Sequence, residues 1–218
     1  MNSRNTELLR LKNQTEIGQL TAQINPHFLY NTLEIIRNLV VFDPARADSL
    51  IIQLTQILRY SIDTSREYVH LDEDMAYIGD YLDIQKCRYG DRLQYEIDIG
   101  EDCLPCMIPK LVLQPIIENS IKYGFQKKQQ IHILITGRLD NSLLLLSVKD
   151  DGLGMPEAEA LHLAETLHSP RPGSEHIGLR NIARRLFLQY GSESGLELKN
   201  EEGLGLEVIV KIRQKGEN

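Results

Sequence analysis

No stretch of the 218-residue sequence reaches the roughly 18 uncharged apolar residues that a bilayer-spanning helix needs. The opening residues, Met1-Asn2-Ser3-Arg4-Asn5, lead into a polar segment, so a signal peptide is not expected. Cysteine is scarce, and Cys87, Cys103 and Cys106 suit a reducing cytosol. Cys103 and Cys106 have the spacing of a redox pair, but no thioredoxin-like pattern surrounds them and no second pair completes a zinc site. Two ordinary, partly buried thiols are expected. Lys and Arg number 24 against 31 Asp and Glu; the net charge of −7 and pI of about 5.4 argue against nucleic-acid binding. There is no internal repeat and no low-complexity tract. There is also no Gly-x-x-x-x-Gly-Lys-Ser/Thr loop and no strand-linked Gly-x-Gly-x-x-Gly, so any nucleotide must be held another way.

What is present suffices for packed cores: 42% of the residues are hydrophobic, and the length suits one large domain or two small ones. The first half reads as helical. Ile24, Phe28, Thr32, Ile35 and Leu39 form a stripe on one helix face. Residues 1–18 read as a weak coiled-coil lead-in to it. Asp43-Pro44 restarts the chain as N-cap and first helical residue. The next helix carries Ala47, Leu50, Ile51, Leu54, Ile57, Leu58 and Ile62. Such a hairpin buries its stripes poorly alone, so two hairpins are expected to pair as a four-helix dimer. A third helix is expected from near Asp72 toward Cys87.

The pattern changes at Tyr89-Gly90-Asp91. Leu93, Tyr95, Ile97 and Ile99 alternate with polar residues, as a half-buried strand does. Pro109 is expected to open a helix through Ile121. Paired strands follow over 131–139 and 143–148, then a Gly-, Pro-, His- and Ser-rich stretch over 151–176. A helix over 177–190 and two closing strands complete the chain. The expected fold is thus an N-terminal all-α hairpin domain over 1–88 followed by an α+β sandwich over 89–218, a mixed sheet with helices on one face.

Four segments carry chemistry. Gln23, His27, Asn31, Glu34 and Asn38 line a polar face beside the apolar stripe, with Asn31 one turn from His27 and able to hydrogen-bond its ring. A largely neutral imidazole is nucleophilic through its free nitrogen; the plainer reading is a surface histidine on an amphipathic helix. Glu118, Asn119, Lys122 and Tyr123 share one side of a helix, which could equally be a solvated face. Asp150-Asp151-Gly152-Leu153-Gly154 follows a strand. A carboxylate there can accept from the exocyclic amine of adenine, and Gly152 and Gly154 let the backbone approach a base; a plain surface turn has the same pattern. Gly173 through Asn181, with Gly178 and Leu179, lies at the start of a helix, where backbone N–H groups suit phosphate.

The run Gln23-Ile24-Asn25-Pro26-His27-Phe28-Leu29-Tyr30-Asn31 resembles the phosphoacceptor box of the LytS/YesM-type sensor histidine kinases. The likeness continues through Leu58-Arg59-Tyr60, Tyr81-Leu82-Asp83-Ile84 and Arg88-Tyr89-Gly90-Asp91-Arg92-Leu93, and into a second half similar to the Bergerat-type ATP-binding fold. The resemblance implies ATP-dependent phosphorylation of His27 in a homodimer and transfer to an aspartate of a response-regulator receiver domain. It implies that Asn119 ligates Mg²⁺, that Lys122 contacts phosphate and that Tyr123 packs near the nucleotide. Glu118 acts on the metal-bound water or the reacting proton, while Asp150, Gly152, Gly154, Gly178 and Leu179 hold ATP. It implies a cytoplasmic fragment whose upstream sensor segment, in the bacterial plasma membrane, is missing from this chain. Asp151 stands for the family's usual Asn, His176 often for Gly, and Leu206 for Thr. His176 and Leu206 motivate a rival reading, a non-catalytic nucleotide-binding scaffold or a phosphatase-biased transmitter. A Bergerat-fold ATPase or serine kinase, which has no use for the His27 segment, and a purely structural helical dimer are further alternatives.

Overall fold

The computed structural model describes residues 26–167 and 177–214. The expected lead-in over 1–18, Gln23, Ile24 and Asn25, and residues 173–176 with His176 lie outside the described residues.

Helices α1 (Pro26–Phe42) and α2 (Pro44–Ile62) form the expected hairpin. Asp43 sets the turn: its carboxylate accepts from the Arg46 N–H at 3.0 Å, and Pro44 takes the first helical position, where a missing N–H costs nothing. The hairpin buries Phe28, Thr32 and Ile36 from α1 and Ala47, Leu50, Leu54 and Ile57 from α2. The Thr32 hydroxyl is satisfied by the Phe28 carbonyl at 2.8 Å. Within the single chain this apolar face already has a partner. Helix α3 (Leu71–Tyr89) packs along it, with the Tyr81 ring 4.9 Å from that of Phe28. The large apolar residues left exposed on the hairpin are Tyr30, Leu33, Val40, Val41 and Phe42 of α1 and Ile51, Ile52 and Ile62 of α2; Ile51 and Ile62, which the spacing puts in the α2 stripe, are thus outside the buried face.

Strands β2 (Leu93–Ile99), β4 (Ile131–Asp140), β5 (Leu143–Asp150), β6 (Gly195–Glu201) and β7 (Gly205–Arg213) form one sheet in the order β2-β4-β5-β7-β6. β2 runs parallel to β4; the other neighbours are antiparallel. Alternation decides its faces. Ile131, Ile133, Ile135, Leu144, Leu146, Val148, Val208, Val210 and Ile212 are buried under helices, each contributing about 1.5–3 kcal/mol. The opposite face carries cross-strand ion pairs, Lys199–Glu207 at 3.4 Å and Lys211–Glu197 at 2.5 Å. The helices against the sheet are α4 (Gln114–Lys127), α5 (Glu157–Thr166) and α6 (Ile177–Tyr190). Cores of hairpin and sheet are continuous through α3.

Three elements differ from expectation. Pro109 opens no helix; it ends strand β3 (Met107–Pro109), which pairs antiparallel with β1 (Tyr68–His70). Leu111 then takes a left-handed conformation, φ 61°, and the helix starts only at Gln114. Helix α5 lies in a stretch that reads as loop. All three cysteines are free, and Cys103 and Cys106 are buried. Burial pushes the Cys103 thiol up to about 11, which suits an inert core thiol rather than a redox centre.

Candidate active site

A cavity of about 250 Å³ opens between α4, the segment after β5, and strand β7. Its floor is Asp150, the last residue of β5, only 6% exposed. The exit from the strand is fixed by the Asp151 N–H donating to the His132 carbonyl and by the His132 N–H donating to the Asp151 carboxylate at 2.8 Å. Asp150 Oδ2 accepts from the Ser120 hydroxyl of α4 at 2.8 Å, and Oδ1 accepts from the Gly152 N–H at 3.0 Å. Burial raises the Asp150 pKa, and the Ser120, Gly152 and Leu206 donors pull the other way. With these three donors placed, the carboxylate keeps acceptor capacity for one ligand N–H.

The wall is built where two glycines allow it. Gly154 has φ +63°, and a Cβ there would lie 2.9 Å from the carbonyl oxygens of Glu201 and Gly205. Gly205, φ +133°, would drive a Cβ into the Asp150 carbonyl. Between them, Asn200 imitates a strand partner. Its Oδ1 accepts from the Met155 N–H and its Nδ2 donates to the Met155 carbonyl, both at 2.9 Å. The Gly203 N–H donates to the Leu153 carbonyl at 2.7 Å. Leu206 lines the cavity and pairs directly with Asp150 across β5 and β7.

Asn119, Tyr123, Asp150, Gly152, Gly154 and Leu179 all line this one cavity. Gly178 borders it: a Cβ there would be 3.9 Å from Asn119 Nδ2. Lys122 and Glu118 are not among the lining residues. The Lys122 ammonium is 5.0 Å from the centre of the exposed Tyr123 ring, and the half-buried Glu118 accepts from Gln114 Nε2 at 2.8 Å. His27 and Asn31 are not among its lining residues; they sit on α1. His27 is exposed, and Asn31 Nδ2 lies 3.1 Å from its Nδ1 and 3.3 Å from its Nε2. Ser120 and Asn200 are the polar residues that sequence reasoning missed. Ser120 had one local signal, its place four residues after Ile116 on the buried side of α4; Asn200 had none.

Residues 15–93 match the family described as histidine kinase, and residues 108–216 match the histidine kinase-, DNA gyrase B- and HSP90-like ATPases. The chain belongs to the histidine kinases. Sensor protein kinase HptS of Staphylococcus aureus is 32% identical over 197 residues, covering 90% of this chain and 38% of that protein. An uncharacterized sensor-like histidine kinase of Staphylococcus epidermidis is 35% identical over 215 residues, covering 95% of this chain and 42% of that one. The chain thus spans about two fifths of the length of these relatives. The catalytic domain of histidine kinase ThkA has the same fold over 69% of this chain and 97% of its own (TM-score 0.52, 16% identity). The histidine kinase AdeS of Acinetobacter baumannii has it over 98% and 97% (TM-score 0.51, 14% identity). Among the described residues no helix is long and apolar enough to cross a membrane.

Proposed function

We propose that this chain is the transmitter of a LytS/YesM-type sensor histidine kinase. In this reading the α+β unit from residue 89 holds ATP, the helical unit to residue 88 offers His27, and the phosphoryl group passes on to an aspartate of a response-regulator receiver domain. The observation that carries it is the buried Asp150 at the floor of a cavity that Asn119 also lines, in a chain that displays an exposed histidine on a helix.

Asp150 reads adenine through the exocyclic amine, since its two oxygens are already oriented by Ser120 and Gly152. Asn119 is the residue that would hold Mg²⁺, a hard cation that takes oxygen ligands and keeps several waters. Its amide lines the cavity, and among the described residues no three His, Cys, Asp or Glu side chains cluster as a metal site, so phosphates and water would complete the coordination. When bound, Mg²⁺ offsets phosphate charge. The chain's own residues do the rest. Lys122 meets phosphate, Tyr123 packs beside the nucleotide, and Gly178 and Leu179 present the start of α6 to it. A neutral His27 forms an N–P bond through its free ring nitrogen while the bond from Pγ to the bridging oxygen breaks, and ADP leaves with the electron pair. The phosphorylated ring then loses its remaining N–H proton, with Glu118 as the acceptor.

The exposed Tyr30, Leu33, Val41 and Ile52 support a homodimer formed through the outer faces of α1 and α2. In the same reading the sensor kinase that carries this transmitter sits in the bacterial plasma membrane, with the transmitter on the cytoplasmic side. One observation favours a second reading, a nucleotide-binding scaffold or phosphatase-biased transmitter: Leu206 puts an alkyl side chain in the cavity beside Asp150.

Incubation with γ-labelled ATP and Mg²⁺ separates the readings. The chain is expected to acquire a label that acid removes and alkali does not. An acid-stable label would indicate a serine kinase, and no label would leave the scaffold. A second expectation concerns Asp150→Asn. The amide cannot accept from Ser120, Gly152 and the adenine amine together, so ATP affinity should fall about 10- to 100-fold, the worth of a charged hydrogen bond. Titration of the parent and the variant with ATP and GTP checks it, since the preference for ATP should shrink along with the affinity.

A further inference from the structure

Glu118 is held by a partner that is itself held from another element. Gln114, the first residue of α4, donates from Nε2 to Glu118 Oε1 at 2.8 Å and accepts at Oε1 from the Tyr77 hydroxyl of α3 at 2.7 Å. The chemistry fixes the direction of this chain. An ionised carboxylate only accepts, so the nitrogen of the Gln114 amide must face Glu118 and its oxygen must face Tyr77. Tyr77 then has to donate. It is only 5% exposed, and burial raises its pKa, so the phenol keeps its proton. The ring cannot wander, because it stacks on Tyr60 of α2 with centroids 5.0 Å apart. One turn further along α3, Tyr81 packs its ring against Phe28, the neighbour of His27.

The geometry points to Tyr77 and Gln114 as positioning residues that orient the Glu118 carboxylate for phosphoryl transfer, linking the helix beside His27 to the asparagine helix of the nucleotide cavity. The inference rests on the reading of Glu118 as the group that accepts the reacting proton. Neither residue lines the cavity, so the effect of losing either is expected in kcat rather than in nucleotide affinity. Without the Tyr77 hydroxyl the amide of Gln114 is free to turn, and Glu118 loses the donor that faces its Oε1.

Tyr77→Phe keeps the stacked ring and removes only the donor; Gln114→Met keeps the length of the side chain and removes the amide. Each is expected to lower the kcat of autophosphorylation about tenfold, a loss of orientation rather than of a reacting group, with the KM for ATP unchanged within about twofold. The double variant should be no slower than Gln114→Met alone, because the hydroxyl acts only through the amide. Gln114→Glu should be slower than Gln114→Met, since it sets a like charge against Glu118. A labelled parent whose Tyr77→Phe variant reacts at the parental rate, or whose two losses multiply, or whose losses appear in KM, would overturn the relay while leaving the kinase reading intact. A parent that acquires no acid-labile label would overturn both.

Discussion

Replacing His27 with Gln is expected to abolish the acid-labile label while ATP binding stays at the parental value. The loss should be on the order of a thousandfold or more, as when a nucleophile is removed outright. A glutamine amide nitrogen shares its lone pair with the carbonyl and offers nothing to phosphorus, yet it matches imidazole in polarity on an exposed helix face, so α1 should persist. Binding should persist too, because His27 is not among the cavity-lining residues. Asn31 makes a contrasting case. Its amide N–H lies 3.1 Å from Nδ1 and 3.3 Å from Nε2, so it donates to whichever ring nitrogen lacks a proton. Under the proposed function that nitrogen is also the one that would attack, so Asn31 would have to release the ring when phosphate arrives. Asn31→Ala should change the rate within about tenfold, far less than the loss at His27. A time course with γ-labelled ATP, quenched in alkali, measures both; full labelling of the His27→Gln chain would move the phosphoacceptor elsewhere.

Part of this architecture was legible before any coordinates because it is encoded locally. Asp43-Pro44 states a helix start by itself, and the carboxylate caps Arg46 as that reading requires. Asp140-Asn141 announced the turn between β4 and β5, where Asn141 and Ser142 take positive φ. The Asp-x-Gly-x-Gly run marked a strand end, and the cavity lies there. Strands β1 and β3 were hidden for the opposite reason. Three residues cannot show a period, and their pairing joins Val69 to Ile108 across 38 positions of chain. Helix α5 was masked by the Gly- and Pro-rich composition around it. Ser120 and Asn200 were illegible as site residues because a small polar side chain says nothing about whether a buried carboxylate or a backbone segment awaits it. The stripe of α1 reads as an apolar face that needs cover, and within the chain α3 supplies part of that cover. Periodicity shows that a face must be covered; it does not show by what.

The covering helix brings with it a second large effect. Asp74→Ala is expected to destabilise the chain by about 3 kcal/mol. Asp74 lies in the first turn of α3 and is fully buried, with Oδ1 accepting from the Tyr60 hydroxyl at 2.8 Å and from the Leu111 N–H at 2.9 Å. Removing the carboxylate strands two part-buried donors at about 1–3 kcal/mol each, less the relief of a desolvated charge. Leu111 also loses the bond that holds its left-handed backbone, a conformation that costs a non-glycine residue about 1–2 kcal/mol. Two buried cations stand nearby. Lys110 donates to the Asp63 carbonyl at 2.6 Å, and Arg185 of α6 donates to the Lys110 carbonyl at 2.7 Å. The node thus ties α2 and α3 to the approach to α4 and to α6. Asp74→Asn keeps Oδ1 and should cost no more than about 1 kcal/mol, because Oδ2, which the amide nitrogen replaces, has no hydrogen-bond partner among the described residues. The pH dependence has a definite sign. Burial raises the Asp74 pKa, against the pull of the Leu111 and Tyr60 donors, so the folded chain binds this proton more tightly than the unfolded one. Its contribution to stability is therefore greatest at low pH and declines as pH rises from the ordinary 3.8 through the raised value. Asp63 and Glu197, whose pKa values are lowered, slope the other way, but they are common to parent and variant and cancel in the difference. Urea melts of the parent, Asp74→Ala and Asp74→Asn across that range would show the amide gaining on the parent as pH rises. A difference that stayed flat with pH, or an alanine variant as stable as the parent, would mean that the node holds no buried charge and does not bind these elements together.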